Sequence, residues 1–143
     1  MLNEHQLSVI CKYVGYLQDV LYLNDWKIEV SPDESPESGA IGSIDPVEGR
    51  RLATLRLCEG FCDMDIADQT NTLCHELIHL HHIGATDIIR LDLLSELSQS
   101  SYNILIKSFK RQMEYCVDGL ANAFSLLVKQ IDYNEESKQL ETE

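Results

Sequence analysis

The stretch over residues 61–83 constrains the fold of this chain most, because it contains no glycine or proline and is typical of a helix. It includes His75-Glu76-Leu77-Ile78-His79. On a helix, residues four apart lie about 40° apart around the axis and one turn along it. His75 and His79 are therefore predicted to project from one face with Glu76 beside them. The two apolar residues between them should point away towards a core.

Two imidazoles on one helix face can reach the same metal ion, and zinc readily accepts imidazole nitrogen. A neighbouring carboxylate can hold and deprotonate a water on that metal. The spacing therefore predicts zinc bound by His75 and His79, with Glu76 as a catalytic base. Taken alone, the same pattern also fits an ordinary polar stripe on an amphipathic helix. A catalytic zinc normally has three protein ligands, so the chain has to supply one more.

The third ligand is predicted on a long helix over residues 102–131, where apolar residues recur at three- and four-residue steps. Glu114 and Asp118 lie four residues apart on this helix, beside its apolar stripe. Carboxylates are costly to bury unless a charge compensates them, and a divalent cation would do so. The alternative is that both acids simply face solvent at the edge of the stripe.

Other side chains near the motif are weaker candidates for the third ligand. His82 follows His79 by three residues, but the helical rise places it about 10 Å along the axis from His75. His81 and His82 are therefore predicted to interact with carbonyl groups at the end of the helix. Asp87, after the next glycine, is a further candidate.

The remaining elements follow from periodicity and turn residues. They are an amphipathic helix over residues 3–23, strands over 26–30, 40–44 and 52–57, a loop over 31–39, a turn over 45–49, and a helical segment of unclear bounds over 85–101. The motif helix should begin at Asp63 or Asp65 and end near Gly84. This order predicts an α+β domain over residues 1–133, with a small mixed sheet packed on the motif helix. Residues 134–143 are predicted to form an acidic, flexible tail.

Composition narrows the class of protein. The net charge of −13, with only 11 scattered Lys and Arg, argues against binding to nucleic acid. No apolar run is long enough to span a bilayer, and the N-terminus lacks the pattern of a signal peptide. The five cysteines are an odd number and include no CxxC pair, which predicts free thiols in the cytoplasm. Cys58 and Cys62 could join a metal site, but core positions are favoured.

The motif His75-Glu76-x-x-His79, followed on a later helix by Glu114 and Asp118, resembles the gluzincin metallopeptidases, which have HExxH and a downstream ExxxD. This resemblance implies that His75, His79 and Glu114 bind one Zn²⁺ and that Glu76 activates water. It implies that Asp118 accepts the other ring N–H of His75 and orients it.

The layout of residues 5–131 is also similar to that of minigluzincins and small phage-associated metallopeptidases, with a lone first helix and a strand that begins at Trp26. The resemblance implies a zincin-like fold. One feature departs from the thermolysin-like motif, which has Asn where Met113 precedes Glu114. More distantly, Asp118 begins a sequence similar to the ImmA/IrrE-type motif, in which Asp118 itself would be the ligand. Glu114 is preferred because its longer side chain reaches farther from the helix.

These features predict a zinc endopeptidase that hydrolyses a protein or peptide substrate, paired with one edge strand, either 40–44 or 52–58. Tyr102 and Tyr115 are candidate donors to the oxyanion by location only. A second hypothesis is a zincin-fold binding or regulatory protein that keeps the metal without turnover. A DNA-linked protease of the SprT type is a third, which the acidic charge disfavours. The sequence predicts neither the substrate nor the oligomeric state.

Overall fold

A computed structural model describes residues 1–37 and 39–134, which form an α+β fold. The helices are α1 (Glu4–Val20), α2 (Ile66–His79), α3 (Ile83–Asp87) and α4 (Gln99–Ser125), and the strands are β1 (Lys27–Val30), β2 (Gly42–Pro46) and β3 (Leu52–Leu57). Short 3₁₀ turns cover Phe61–Asp63 and Leu80–His82, and a π-helical turn covers Ile88–Asp92. The predicted acidic tail lies outside the described residues except for Asn134.

Helix α1 begins with a capping box. The Asn3 side chain accepts a hydrogen bond from the backbone N–H of Gln6 at 2.8 Å, and the Gln6 side chain accepts one from the backbone N–H of Asn3 at 3.0 Å. The helix ends at Val20, earlier than predicted, because Tyr22 adopts a left-handed φ of 56°. Such a turn normally takes glycine or asparagine, so a tyrosine there gave no stop signal. The buried face of α1 packs into the core through Val9, Ile10, Tyr13, Val14 and Leu17.

The three strands form a mixed sheet in the order β1-β3-β2. Strand β1 pairs with β3 in parallel, and β2 pairs with β3 as an antiparallel hairpin. Strand β2 begins two residues later than predicted. Strand β3 is central, so the prediction that residues 52–58 could be a free edge is wrong, and β2 is the edge that contacts α2.

Helix α2 buries its apolar side in the core through Leu73, Cys74, Leu77 and Ile78. The predicted end near Gly84 is wrong, because the hydrogen bonding tightens to a 3₁₀ turn after His79 and Gly84 lies inside α3. His81 does approach a carbonyl group, but it is the one that ends α1: its Nε2 lies 2.8 Å from the oxygen of Leu21.

Helix α4 begins after the N-cap Ser98, whose hydroxyl accepts from the N–H of Ser101, and ends six residues before the predicted end at Ile131. Its only fully buried residues are Val117 and Ala121, in the half that packs on α2. The Asn71 amide of α2 donates to Asn122 of α4 at 2.8 Å. No described helix has both the length and the apolar character needed to cross a membrane.

After α4 the chain returns along α1 and α2, and side-chain hydrogen bonds fix it there. The Tyr13 hydroxyl donates to the carbonyl oxygen of Lys129 at 2.6 Å, and Ile131 is buried. The Tyr133 hydroxyl donates to Oε1 of Gln69 at 2.7 Å, and Gln69 is only 1% exposed. The returning segment therefore satisfies a buried polar group at the start of α2.

This contact predicts a measurable loss of stability. Tyr133→Phe removes the donor and leaves the buried Gln69 oxygen without its partner, which should lower the free energy of unfolding by about 1–3 kcal/mol. Urea denaturation measures the change. Tyr22→Phe is the matched control, since Tyr22 is 88% exposed and should tolerate the change. Equal stability of the Tyr133 variant and the wild type would contradict the prediction.

Candidate metal centre

His75 and His79 project from the same face of α2, as the helical spacing predicts. Their Nε2 atoms lie 3.0 Å apart, and their ring centroids are separated by 4.8 Å. Each side chain is about one-fifth exposed, at 21% and 23%. The two nitrogens therefore face one point at the rim of the core, where one ion could contact both.

Glu114 of α4 lies opposite this pair. Its Oε2 is 3.5 Å from Nε2 of His75, and its Oε1 is 3.5 Å from Nε2 of His79. Ligands of a tetrahedral zinc at the usual bond lengths of about 2.0–2.1 Å lie about 3.3–3.4 Å from one another. The three side chains offer ligand atoms that all lie within 4.8 Å of one another, so the donor set and spacing fit a zinc ion.

Asp118 contacts the other side of the His75 ring. Its Oδ1 lies 3.1 Å from Nδ1 of His75, whereas Glu114 faces Nε2. A carboxylate at Nδ1 holds the ring proton there and leaves the lone pair of Nε2 free for a metal. Asp118 and Glu114 therefore contact opposite nitrogens of the His75 ring.

Burial shifts the pKa of the Glu76 carboxyl group and that of the His79 ring. It raises the pKa of Glu76 to about 7, with a further increase from the charges of Glu114 and Asp45 and an opposing hydrogen bond from the backbone N–H of Ile44. A carboxyl group that titrates near neutral pH can both accept and return a proton. Burial also lowers the pKa of His79, despite the opposing charge of Glu114, which favours the neutral imidazole that a metal requires.

The histidines open into a cleft of about 880 Å³ between β2, α2 and α4. Its polar lining includes Glu76 and Glu114, and its apolar lining comprises Ile41, Ile44, Ile83, Phe109 and Met113. The cleft is therefore lined by the candidate ligands of α2 and α4 and by the buried Glu76, with the edge strand β2 at its side. It is large enough for several residues of an extended peptide.

The remaining sequence candidates lie elsewhere. Oδ1 of Asp87 accepts from Arg90 at 3.3 Å, and Asp87 is absent from the group of side chains that could hold a metal. Tyr102 and Tyr115 are not among the described residues that line the cleft, and Tyr115 is 65% exposed. Neither tyrosine is therefore placed to contact an oxyanion in this structure.

All five cysteines are free thiols, as predicted. Cys58 and Cys62 are half-buried and pack against the core, with Sγ of Cys62 3.6 Å from the Tyr133 hydroxyl. This arrangement agrees with the core positions favoured for them.

Two residues of the cleft have surroundings that the sequence analysis did not predict. His82 lines the cleft rather than capping a helix, and its Nδ1 is buried without a hydrogen-bond partner in the described part of the chain. Gly42 begins β2 and lies against Glu76, a contact that depends on the distance between strand and helix. The sequence gives no local signal for either contact.

No family model, curated protein or solved structure matches this chain, so the proposed function rests on the geometry of the site.

Proposed function

We propose that this chain is a zinc-dependent metallopeptidase with a zincin-like fold. The observation that carries the proposal is the convergence of His75, His79 and Glu114, with Asp118 behind one imidazole and a buried Glu76 beside the ligand cluster. A purely structural zinc site normally has four protein ligands, whereas three protein ligands would leave a position for water, and the buried Glu76 in the cleft would supply a base for that water.

His75, His79 and Glu114 would hold a zinc ion, which would supply a Lewis acid and lower the pKa of water bound to it. Glu76 would orient the attacking water, take its proton, and return that proton to the amine nitrogen as the peptide bond breaks. Asp118 would keep the His75 ring in place through its Nδ1–H. The burial of Glu76 and the distance from Asp118 to His75 are compatible with these proposed roles.

Strand β2 supports a peptide as the substrate. Backbone hydrogen bonds at Ile41 and Val47 point to β3, so the alternate backbone groups at residues 42, 44 and 46 face away from β3, and of these the N–H of Ile44 hydrogen-bonds Glu76. An extended substrate could add to this free edge as a further strand, with its scissile bond beside Glu76. Pro46 has no N–H, so it contributes only an acceptor to such pairing.

The competing hypothesis, a binding or regulatory protein with a retained zinc, gives Glu76 no task. A peptide-library digest by the zinc-loaded protein tests the choice directly. We expect cleavage that stops on chelation and returns when zinc is added. The absence of cleavage in the library and in natural protein substrates would count against the proposal.

The two acids of α4 should differ in their effect on zinc affinity. Glu114→Ala deletes a ligand, whereas Asp118→Asn removes an orienting acceptor, a change typically worth 10–100-fold in affinity. We therefore expect Glu114→Ala to weaken zinc binding more than Asp118→Asn does. Competition with a chromophoric chelator measures both constants.

The matched control for this comparison is Glu96→Ala, which changes an exposed acid in the turn before α4 and should leave the affinity unchanged. The reverse order of the two α4 variants would support the ImmA/IrrE-like alignment, with Asp118 as the ligand.

A further inference from the structure

Strand β2 approaches α2 closely at Gly42. A Cβ atom placed on Gly42 would lie 3.1 Å from Cγ of Glu76, 3.3 Å from its Oε1 and 3.3 Å from Cγ2 of Thr72. Nine in ten contacts of real Cβ atoms are longer than these distances. The strand can therefore touch the Glu76 side chain at this distance because residue 42 has no side chain of its own.

The other glycines of the chain do not share this constraint. A Cβ atom at any of them would meet no atom within 4 Å, as is the case at Gly15, Gly39, Gly49, Gly60, Gly84 and Gly119. Gly42 also has no left-handed backbone to explain its identity. Glycine normally weakens a strand, because it adds backbone entropy and offers nothing to pack. Close approach to α2 is what accounts for a glycine at this strand position.

Glu76 can move into the cleft that it lines. It is 8% exposed, with β2 on one side and the ligand cluster on the other. An added methyl group at residue 42 would push the carboxylate along the cleft or push β2 off the helix. Either shift changes the distance between the base and the point that the two imidazoles face.

We infer that Gly42 is a positioning residue for Glu76, whose backbone forms the wall that fixes the carboxylate beside the metal ligands. The catalytic consequence of this inference rests on the proposed peptidase function. The contact between Gly42 and Glu76 does not, so the two can be tested separately.

The kinetic test compares Gly42→Ala with wild type and with Gly60→Ala, whose added methyl group meets nothing within 4 Å. Misplacing a catalytic group by 1 Å can cost about 10²-fold in rate, so kcat of Gly42→Ala should fall by up to that factor. Zinc content should be unchanged, and KM should change less than kcat, while Gly60→Ala should match wild type. A wild-type kcat for Gly42→Ala would overturn the inference.

The stability test uses metal-free protein and requires no activity. Gly42→Ala is made in wild type and in Glu76→Ala, which removes two of the three atoms that the new methyl group would meet. We expect Gly42→Ala to lower the urea midpoint in wild type and to have a smaller or opposite effect in the Glu76→Ala background. An equal loss in both backgrounds would show a general role in the strand and refute the inference. If wild type cleaves nothing, the proposed function fails while this comparison still decides the contact.

Discussion

Protein purified without chelators should contain one zinc ion per chain, and His75→Ala should reduce that content to background. The variant leaves His79 and Glu114 as the only members of the ligand group, and it also removes the ring that Asp118 orients. Two ligands on separate helices are too few for a stable tetrahedral site. Elemental analysis of the purified proteins measures the difference.

His81→Ala is the control for this experiment, because His81 is two residues beyond His79 but its ring contacts the Leu21 carbonyl oxygen instead of the cluster. It should keep its zinc even if its stability changes. The folded site should also couple metal to stability, since a ligand at 100 times its Kd adds about 2.7 kcal/mol to the free energy of unfolding. Zinc should therefore raise the melting temperature of wild type and leave that of His75→Ala unchanged. A wild-type protein without stoichiometric metal would contradict the prediction.

The histidine pair was predictable from sequence because it depends only on helical geometry. Residues four apart share a face on any regular helix, and α2 is regular through His79. The approach of Glu114 is a different kind of contact. Periodicity identified the apolar stripe of α4, but the pairing of α4 with α2 depends on tertiary packing around Val117 and Ala121. Periodicity therefore predicts where the apolar face of α4 lies, but it does not predict the 3.5 Å distances from Glu114 to His75 and His79.

Element boundaries were predicted less well, and each miss has a local cause. Helix α1 ends at a left-handed tyrosine in place of a glycine, and Gly84 has a helical conformation that does not stop the chain. Strand β2 covers Gly42–Pro46 in place of the predicted 40–44, so Gly42 moves from the middle of the strand to its first residue. The close approach of Gly42 to Glu76 could not be predicted without the distance between β2 and α2.

Glu76→Gln should retain zinc and thermal stability and lose nearly all peptidase activity. Glu76 is not one of the side chains grouped as possible metal ligands, and Gln keeps its size and polarity. A neutral amide also avoids the cost of holding a charge at a site that is 8% exposed, so stability should not fall. What the variant lacks is a base, and general base catalysis typically contributes about 10²–10⁴-fold to the rate. Single-turnover cleavage of one defined substrate by both proteins measures the ratio.

The same variant separates an enzyme from a metal-stabilised binding protein. If the chain only binds, Glu76→Gln should capture the same partners as wild type and leave them intact to the same extent. If it cleaves, the variant should accumulate a protein that wild type releases as fragments, because binding persists after the base is lost. A narrow peptidase can ignore generic substrates, so the decisive substrate is the protein that co-purifies preferentially with Glu76→Gln. Survival of that protein beside zinc-loaded wild type would exclude peptide hydrolysis as the task of this cleft, whereas its cleavage would make Glu76 the base.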